Sequence, residues 1–495
     1  MLRAHDGGGG TMATIDRRTF LRLSGAVPVA GLAEWPGEDR WDRLRRSLTG
    51  PLFRPSDPGY PEAKQGFFTL YDDRFPAAVA GAACVGDVQR CVEFAAAHGL
   101  PIAARCGGHS YPGYSTVDGG IVVELSRMAD IGLRPDGSAV VGAGARITDV
   151  VTALAASGRV LPAGTCGTVG VAGLALGGGV GVLDRKYGLT CDHIEAARVV
   201  TADGCVRTAS ATSEQDLYWA LRGGGGGNFG IVTEFTFRTV PVADVATFDL
   251  KFPVAAQGAW QEWQPRMPDE LWSGMGLGPE AAGLSGTFLG PAERLKPLLD
   301  ELITAVGTPP SVGEHREGSH LDAMAHFDGR DFRGGANADA APIQRAAYIG
   351  TSRMLMRPIE DPDAVVALLD SSPKLYTIID AGGGAIARVG AHESAYPHRR
   401  ALASFQMLHG AEAADGGEAF ARRAVGLVRD GLGPEFGNTG YVNYLDPEMP
   451  DWARAYYGGN LPRLRAVARK YDPESVFAFP QGLSAPRGTV HTGES

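Results

Sequence analysis

The chain has 495 residues, 44% hydrophobic and 21% charged, with a formal net charge of -10 at pH 7. This length is more than one ordinary core fills, so two domains with short appendages are expected. The negative balance argues against nucleic acid, whose phosphates are bound by basic surfaces, and no run approaches the ~20 apolar residues that span a bilayer.

The first 34 residues read as an address. Asp16-Arg17-Arg18-Thr19-Phe20-Leu21-Arg22 precedes a modest apolar stretch from Leu23 to Leu32, ending in Gly31-Leu32-Ala33. The pattern resembles a twin-arginine signal, in which an arginine pair precedes a weakly hydrophobic core and a small-residue cleavage site. Segment 1–34 is therefore expected to direct export to the periplasm or medium, leaving a mature protein without stable membrane association.

Behind a polar lead-in, Val88, Cys91, Val92 and Ala95 recur at helical spacing from Asp87, and Leu100-Pro101-Ile102-Ala103-Ala104 follows as a strand. Short β runs come next: Ile121-Val122-Val123-Glu124-Leu125, then Ala139-Val140-Val141 after the Asp136-Gly137 turn. Thr148 is read as the cap of a helix carrying Val150, Val151 and Leu154 that stops at Gly158. Asp203-Gly204, between two further β runs, is a strong hairpin signal. Beyond about 242 cysteine vanishes while prolines and single tryptophans scatter, as expected of a second domain built from an antiparallel sheet with helices. Near the end Asn460 is expected to cap a helix with Leu464, Val467, Ala468 and Tyr471 on one face, stopped by Pro473.

Two compositional features bear on chemistry. The six cysteines, at 84, 91, 106, 166, 191 and 205, show neither Cys-x-x-Cys spacing nor a regular disulfide framework. No metal site is expected from them, and most are read as small buried fillers. The 70 glycines are about twice the usual ~7% share. They cluster at 105–120, 164–181 and 223–230, where amides without a Cβ neighbour can approach a pyrophosphate closely. Any phosphate compound satisfies that reading, but the dinucleotide fingerprint G-x-G-x-x-G at a first strand-helix turn is absent, which rejects a nicotinamide-binding domain.

Together the clusters are more specific. Arg105-Cys-Gly-Gly-His-Ser-Tyr-Pro-Gly-Tyr-Ser115, Ala163-Gly-Thr-Cys-Gly-Thr-Val-Gly-Val-Ala-Gly173 with Gly177-Gly178-Gly179, Val200-Thr-Ala-Asp-Gly204 and Trp219-Ala-Leu-Arg-Gly-Gly-Gly-Gly-Gly-Asn-Phe-Gly-Ile-Val232 resemble the FAD domain of berberine bridge enzyme-like oxidases. Tyr441-Val-Asn-Tyr444 and Tyr471-Asp-Pro-Glu-Ser-Val-Phe477 are similar to the C-terminal segment of the same family. The resemblance runs from about 50 to 485 and is weak across 242–437. It implies an α+β, two-domain PCMH-type FAD-binding fold with an antiparallel-sheet substrate domain. The expected division is 1–34 signal, 35–240 FAD domain, 241–437 substrate domain and 438–495 returning to the FAD domain.

The resemblance also implies residue roles. His109 matches the histidine bonded to the flavin 8α-methyl and Cys166 the cysteine bonded to flavin C6, so FAD is expected to be covalent at both. An electron-poor flavin ring accepts a neutral imidazole or a thiolate, whose supply depends on a lowered cysteine pKa. Further cofactor contacts are implied for Arg105, Gly107, Gly108 and Ser110 beside His109, and for Gly164, Thr168, Val169, Gly170, Gly173 and Gly177 beside Cys166. Val232, Tyr441 and Asn443 complete the set.

Tyr444 is the implied base. Its phenol, of reference pKa ~10, would need lowering to act near neutrality, and Tyr111 is expected to position it or lower that pKa. Gln406 matches a position that is neutral in several alcohol oxidisers, and Val169 a position where a small side chain or valine goes with oxygen reactivity. The expected activity is oxidation of a hydroxyl on a sugar, oligosaccharide or glycosylated metabolite, with O2 as acceptor and H2O2 as product. Amine or alkaloid oxidation on the same fold, and a flavin- or carbohydrate-binding protein without turnover, are the alternatives.

Overall fold

The computed structural model describes residues 39–484, apart from 242–243, 254, 279–280, 330–343 and 373. The arginine-pair segment 1–34 lies outside the described residues. Residues 39–46 belong to a unit of their own and are helical from Arg40 onward, within Arg40–Ser47. The rest of the chain, from Ser47, forms a second unit.

That unit starts with β1 (Leu52–Phe53), β2 (Ala78–Gly81), β3 (Ile102–Arg105) and β4 (Ile121–Glu124), in sheet order β1-β2-β4-β3. Strands β2 and β3 run parallel to β4. All four residues of β2 are buried, the near-continuous apolar run that a strand covered on both faces requires. Between β2 and β3 lies the helix Val85–His98, which begins two residues before Asp87. It buries Val88, Cys91, Val92 and Ala95 on one stripe and ends at Gly99, whose φ of 63° is a left-handed cap.

The next strands are β5 (Ile131–Leu133), β6 (Ser138–Gly142), β7 (Arg159–Val160), β8 (Ile194–Val200), β9 (Val206–Ser210), β10 (Ile231–Arg238) and β11 (Val240–Pro241). Five form an antiparallel sheet in the order β5-β6-β10-β8-β9, while β7 pairs with β11. The Asp203-Gly204 hairpin joins β8 to β9, with Gly204 at φ 74°.

A seven-stranded sheet follows from β12 (Val245–Phe252), β13 (Leu271–Gly278), β14 (Ala281–Leu289), β15 (Val312–Gly318), β16 (Tyr348–Leu355), β17 (Leu375–Ala381) and β18 (Ala403–Gly410). Its order is β15-β12-β14-β13-β17-β18-β16 and every pairing is antiparallel. Successive side chains of a strand point to opposite faces. On β17 this buries Leu375, Thr377, Ile379 and Ala381 on one face and leaves Tyr376, Ile378 and Asp380 on the other. The register sets Gln406 of β18 opposite Ile378, and Ser404 opposite Asp380.

Three local expectations are corrected. The helix expected from Thr148 spans Ile147–Ala155, and its N-cap is Arg146, whose N–H donates to the Asp149 carboxylate at 3.1 Å. Asn460 does stand at the N-cap of the helix Leu461–Tyr471 but its side chain caps nothing. Its amide N–H groups donate to the carbonyls of Ala391, Ser394 and Ala395 at 2.7–3.2 Å and its Oδ1, the atom that could cap the helix, lies 2.6 Å from His392 Nδ1 instead. Of the cysteines, only Cys91 and Cys191 are fully buried; Cys84 and Cys106 are intermediate, and Cys166 and Cys205 exposed, all six unpaired as disulfides.

Candidate active site

The loops after β3 and before the helix Val171–Gly177 meet backbone to backbone. A Cβ on Gly107 would collide with Gly170 N, and one on Gly170 with Cys106 Sγ, so neither position tolerates a side chain. Gly108 takes a left-handed φ of 72°, which glycine adopts at little cost. That turn presents His109, whose imidazole stacks on Phe67 with centroids 3.8 Å apart and planes at 20°. Phe67 N–H donates to the Gly108 carbonyl at 3.3 Å. The Thr168 hydroxyl lies between the two loops, 2.9 Å from His109 Nε2 and 3.5 Å from Cys166 Sγ.

These loops open on a cavity of about 910 Å³. Its walls include His109, Cys166, Arg105, Gly107, Gly108, Ser110, Gly164, Val169, Gly170, Gly173, Val232, Tyr441 and Asn443, and also Tyr111, Gln406 and Tyr444. Thr168 and Gly177 stand outside the walls. Thr168 acts on its two neighbours as described, and a Cβ on Gly177 would collide with Asn443 Oδ1, so Gly177 makes room for the Tyr441–Tyr444 segment. Arg105 reaches the wall, but its guanidinium is engaged by Glu124 and by the carbonyls of Lys64 and Ala63. Ser110 Oγ accepts from Tyr114 N–H at 3.0 Å.

The C-terminal segment is locked by the Tyr441 hydroxyl, which accepts from Gly179 N–H at 2.7 Å and from Asn443 Nδ2 at 2.8 Å. Each such bond is worth ~1 kcal/mol, and leaving the phenol oxygen unpaired would cost more. Tyr444 follows, edge-on to Tyr441 at 4.9 Å and stacked on Tyr111 at 5.8 Å with planes at 16°. Gln406 Nε2 donates to the Tyr111 hydroxyl. A Cβ on Gly350 of β16 would meet the Tyr111 ring at 2.8 Å, so the sheet carries glycine where the phenol passes.

The electrostatics correct the expectation for the base. Burial, reinforced by the charge of Asp380, pushes the Tyr444 phenol well above its ordinary range. Tyr111 is also raised, first by burial, and its proximity raises Tyr444 further rather than lowering it. A group missed in the sequence supplies an acceptor: Asp380 lines the same cavity, and burial pushes its carboxyl up to about 6, opposed by a 3.2 Å hydrogen bond donated by Ser404 Oγ. One aspartate on an otherwise apolar strand at the alternation of Tyr376 and Ile378 was the signal available. Burial also holds the thiol of Cys106, a second cysteine in the cavity wall, up at about 12.

The residues present fit FAD. The walls combine glycine backbone, an imidazole and an exposed thiol with a polar cluster of Tyr111, Tyr444, Gln406 and Asp380. Among the described residues no group of acidic, histidine and cysteine side chains could hold a metal ion, and no helix is long and apolar enough to cross a membrane.

Two family models match: an FAD binding domain over residues 76–210, and a berberine and berberine-like segment over 440–484. The uncharacterized FAD-linked oxidoreductase YgaK of Bacillus subtilis is 33% identical over 89% of this chain and 98% of its own length. The glucooligosaccharide oxidase of Sarocladium strictum is 31% identical over 92% and 97%. Among solved structures, BBE-like 1 of Physcomitrella patens superposes with a TM-score of 0.85 at 30% identity, covering 90% of this chain and 99% of that one. Glucooligosaccharide oxidase from Acremonium strictum, which carries 6-S-cysteinyl, 8α-N1-histidyl FAD, superposes with a TM-score of 0.80 at 28% identity, covering 88% and 98%. The chain belongs to the berberine bridge enzyme-like family of FAD-linked oxidoreductases, with the PCMH-type α+β fold of that family.

Proposed function

We propose that the protein is an exported carbohydrate oxidase that carries FAD covalently on His109 and Cys166 and passes the electrons to O2, releasing H2O2. The observation that carries this reading is the single Thr168 hydroxyl shared by His109 Nε2 and Cys166 Sγ in the wall of one cavity. The Thr168 hydroxyl beside Nε2 holds the imidazole ring in place for attachment. The division into an FAD domain (35–240), a substrate domain (241–437) and a returning segment (438–495) is part of the proposal, supported by the separate sheets and by Tyr441–Tyr444 standing in the FAD cavity.

FAD supplies the hydride acceptor; this chain's residues orient the substrate and take its proton. Of the two groups in the cavity wall, the Tyr444 phenol is held protonated while the Asp380 carboxyl, pushed up to about 6, is ionised near neutrality, so Asp380 is the final acceptor of the substrate's hydroxyl proton. The C–H electron pair leaves the substrate as hydride while the O–H proton stays with the Tyr444–Asp380 pair, giving a carbonyl or lactone. Tyr111, held by Gln406, fixes the ring of Tyr444. A saccharide suits the remaining walls. Tyr376 and Tyr348, 58% and 42% exposed, present rings with polar tips, surfaces that can cover a sugar ring and bond its hydroxyls. Several relatives are oligosaccharide oxidases.

Peroxide release on a panel of mono- and oligosaccharides, with amines and aromatic alcohols as comparison, tests the proposal. Turnover of sugars with one H2O2 per sugar oxidised is the expected result. Turnover confined to amines, or no peroxide from flavin-loaded protein with any sugar, would contradict it.

A further inference from the structure

The helix His320–Asp328 ends against the loop that carries Cys166: the Asp328 carboxylate accepts a hydrogen bond from Gly167 N–H at 2.9 Å. The Gly167 carbonyl accepts from Thr148 N–H at 3.1 Å, so the residue after the cysteine is held on both sides. The peptide between Cys166 and Gly167 is planar, so holding its N–H orients the plane from which the Cys166 side chain departs and narrows the directions that side chain can take. Glycine imposes little restraint of its own; the two hydrogen bonds supply it.

The helix is anchored to the seven-stranded sheet. His326 lies 3.1 Å from the Asp249 carboxylate on β12, and Phe327 meets Trp272 of β13 edge-on with centroids 5.8 Å apart. Phe327 and Trp272 both line the cavity. Asp328 therefore ties the placement of the Cys166 loop to the seating of the sheet that carries Asp380 and Gln406.

We propose that Asp328 is a positioning residue for the second flavin bond, aiming the Cys166 sulfur through Gly167 N–H. This rests on reading Cys166 as an attachment point. In that step the Cys166 thiolate forms a bond from sulfur to ring C6, the C6 hydrogen leaves as a proton, and the two electrons pass through the ring to O2, giving H2O2. Asp328 takes no part in the electron movement. It sets where the sulfur stands, and small misplacements of a reacting atom slow such steps strongly.

The test is peptide mass mapping of flavin on the purified full chain, with its visible spectrum, for the wild type and for Asp328→Ala, Asp328→Leu and Asp328→Asn. Asparagine keeps an acceptor oxygen, whereas alanine and leucine remove it and leucine keeps the bulk. Wild type and D328N are expected to carry flavin on both peptides. In D328A and D328L the Cys166-linked fraction should fall about five- to ten-fold, the scale of one lost hydrogen bond, while the His109-linked fraction is unchanged. Full linkage at Cys166 in D328A or D328L overturns the proposal, as does an equal loss at His109, which would make Asp328 a general structural residue. Flavin on His109 alone in the wild type would instead overturn the reading of Cys166.

Discussion

Tyr111 and Tyr444 stand ring on ring in the cavity wall, centroids 5.8 Å apart and planes 16° from parallel, although one comes from the first glycine loop and the other from the C-terminal segment. Gln406, from β18, donates to the Tyr111 hydroxyl, so three distant parts of the chain meet at one pair of phenols. Stacking of this kind is worth ~0.5–1.5 kcal/mol beyond area burial. It fixes Tyr444 without activating it, because burial and then the neighbouring Asp380 and Tyr111 all hold that phenol protonated.

Activation therefore depends on Asp380, whose carboxyl burial pushes up to about 6. If the anion is the proton acceptor, kcat/KM rises with pH through an apparent pKa near 6 and levels off above it. Asp380→Asn should erase that limb and lower kcat ~10²–10⁴-fold with flavin occupancy unchanged, as read by peroxide release across the pH range.

The same shift has a stability consequence of definite sign. A folded-state pKa of about 6 above the ordinary 3.8 means that the folded protein holds an extra proton in that window. Stability falls as pH rises from the unfolded pKa through the folded one, and the penalty is then constant. The carboxylate is half-buried in the cavity wall, so the cost is on the order of 1–2 kcal/mol rather than the full shift. Flavin-free Asp380→Asn should melt higher than wild type at pH 7 and nearly equally at pH 3, below both pKa values; equal melting at both would contradict the shift.

Gln406→Leu removes the donor to Tyr111. The loss of one partly buried hydrogen bond, ~1 kcal/mol, should appear as a five- to ten-fold lower kcat/KM. Because both residues act through the placement of Tyr444, Tyr111→Phe combined with Gln406→Leu should be no worse than the worse single variant. Strict additivity in that double-mutant cycle would show that the two residues act separately.

How much of this was legible in the sequence follows from where the residues sit in the chain. His109 and Cys166 lie in contiguous glycine-rich loops, and contiguous motifs survive in a linear reading. The seven-stranded sheet was expected only as an antiparallel sheet, since its pairing β13-β17 joins segments with no local signal. Asp380 was missed because 375–381 reads as an ordinary strand; its role depends on burial and on Tyr444, both tertiary. Phe67, stacked on His109, and Asp328, bonded to Gly167, were missed for the same reason. The raised phenol of Tyr444 reversed an expectation, because desolvation cannot be read from residue type.

Arg399, just before β18, is buried. Its guanidinium grips the Asp192 carboxylate with two 2.7 Å bonds and Ser394 Oγ with a third at 2.6 Å. The side chains are 1% and 8% exposed. Arg399→Met would leave a buried carboxylate without its cation and should destabilise the fold by ~3–5 kcal/mol, read in denaturant unfolding. A loss below about 1 kcal/mol, the range of exposed pairs, would contradict the buried geometry.

Peptide mass mapping of the flavin in purified wild-type protein, after denaturation and proteolysis, tests the central claim most directly. Flavin on one fragment pair containing both His109 and Cys166 is the predicted result. Flavin released entirely by denaturation, from protein produced with ample FAD, would contradict covalent attachment at this site.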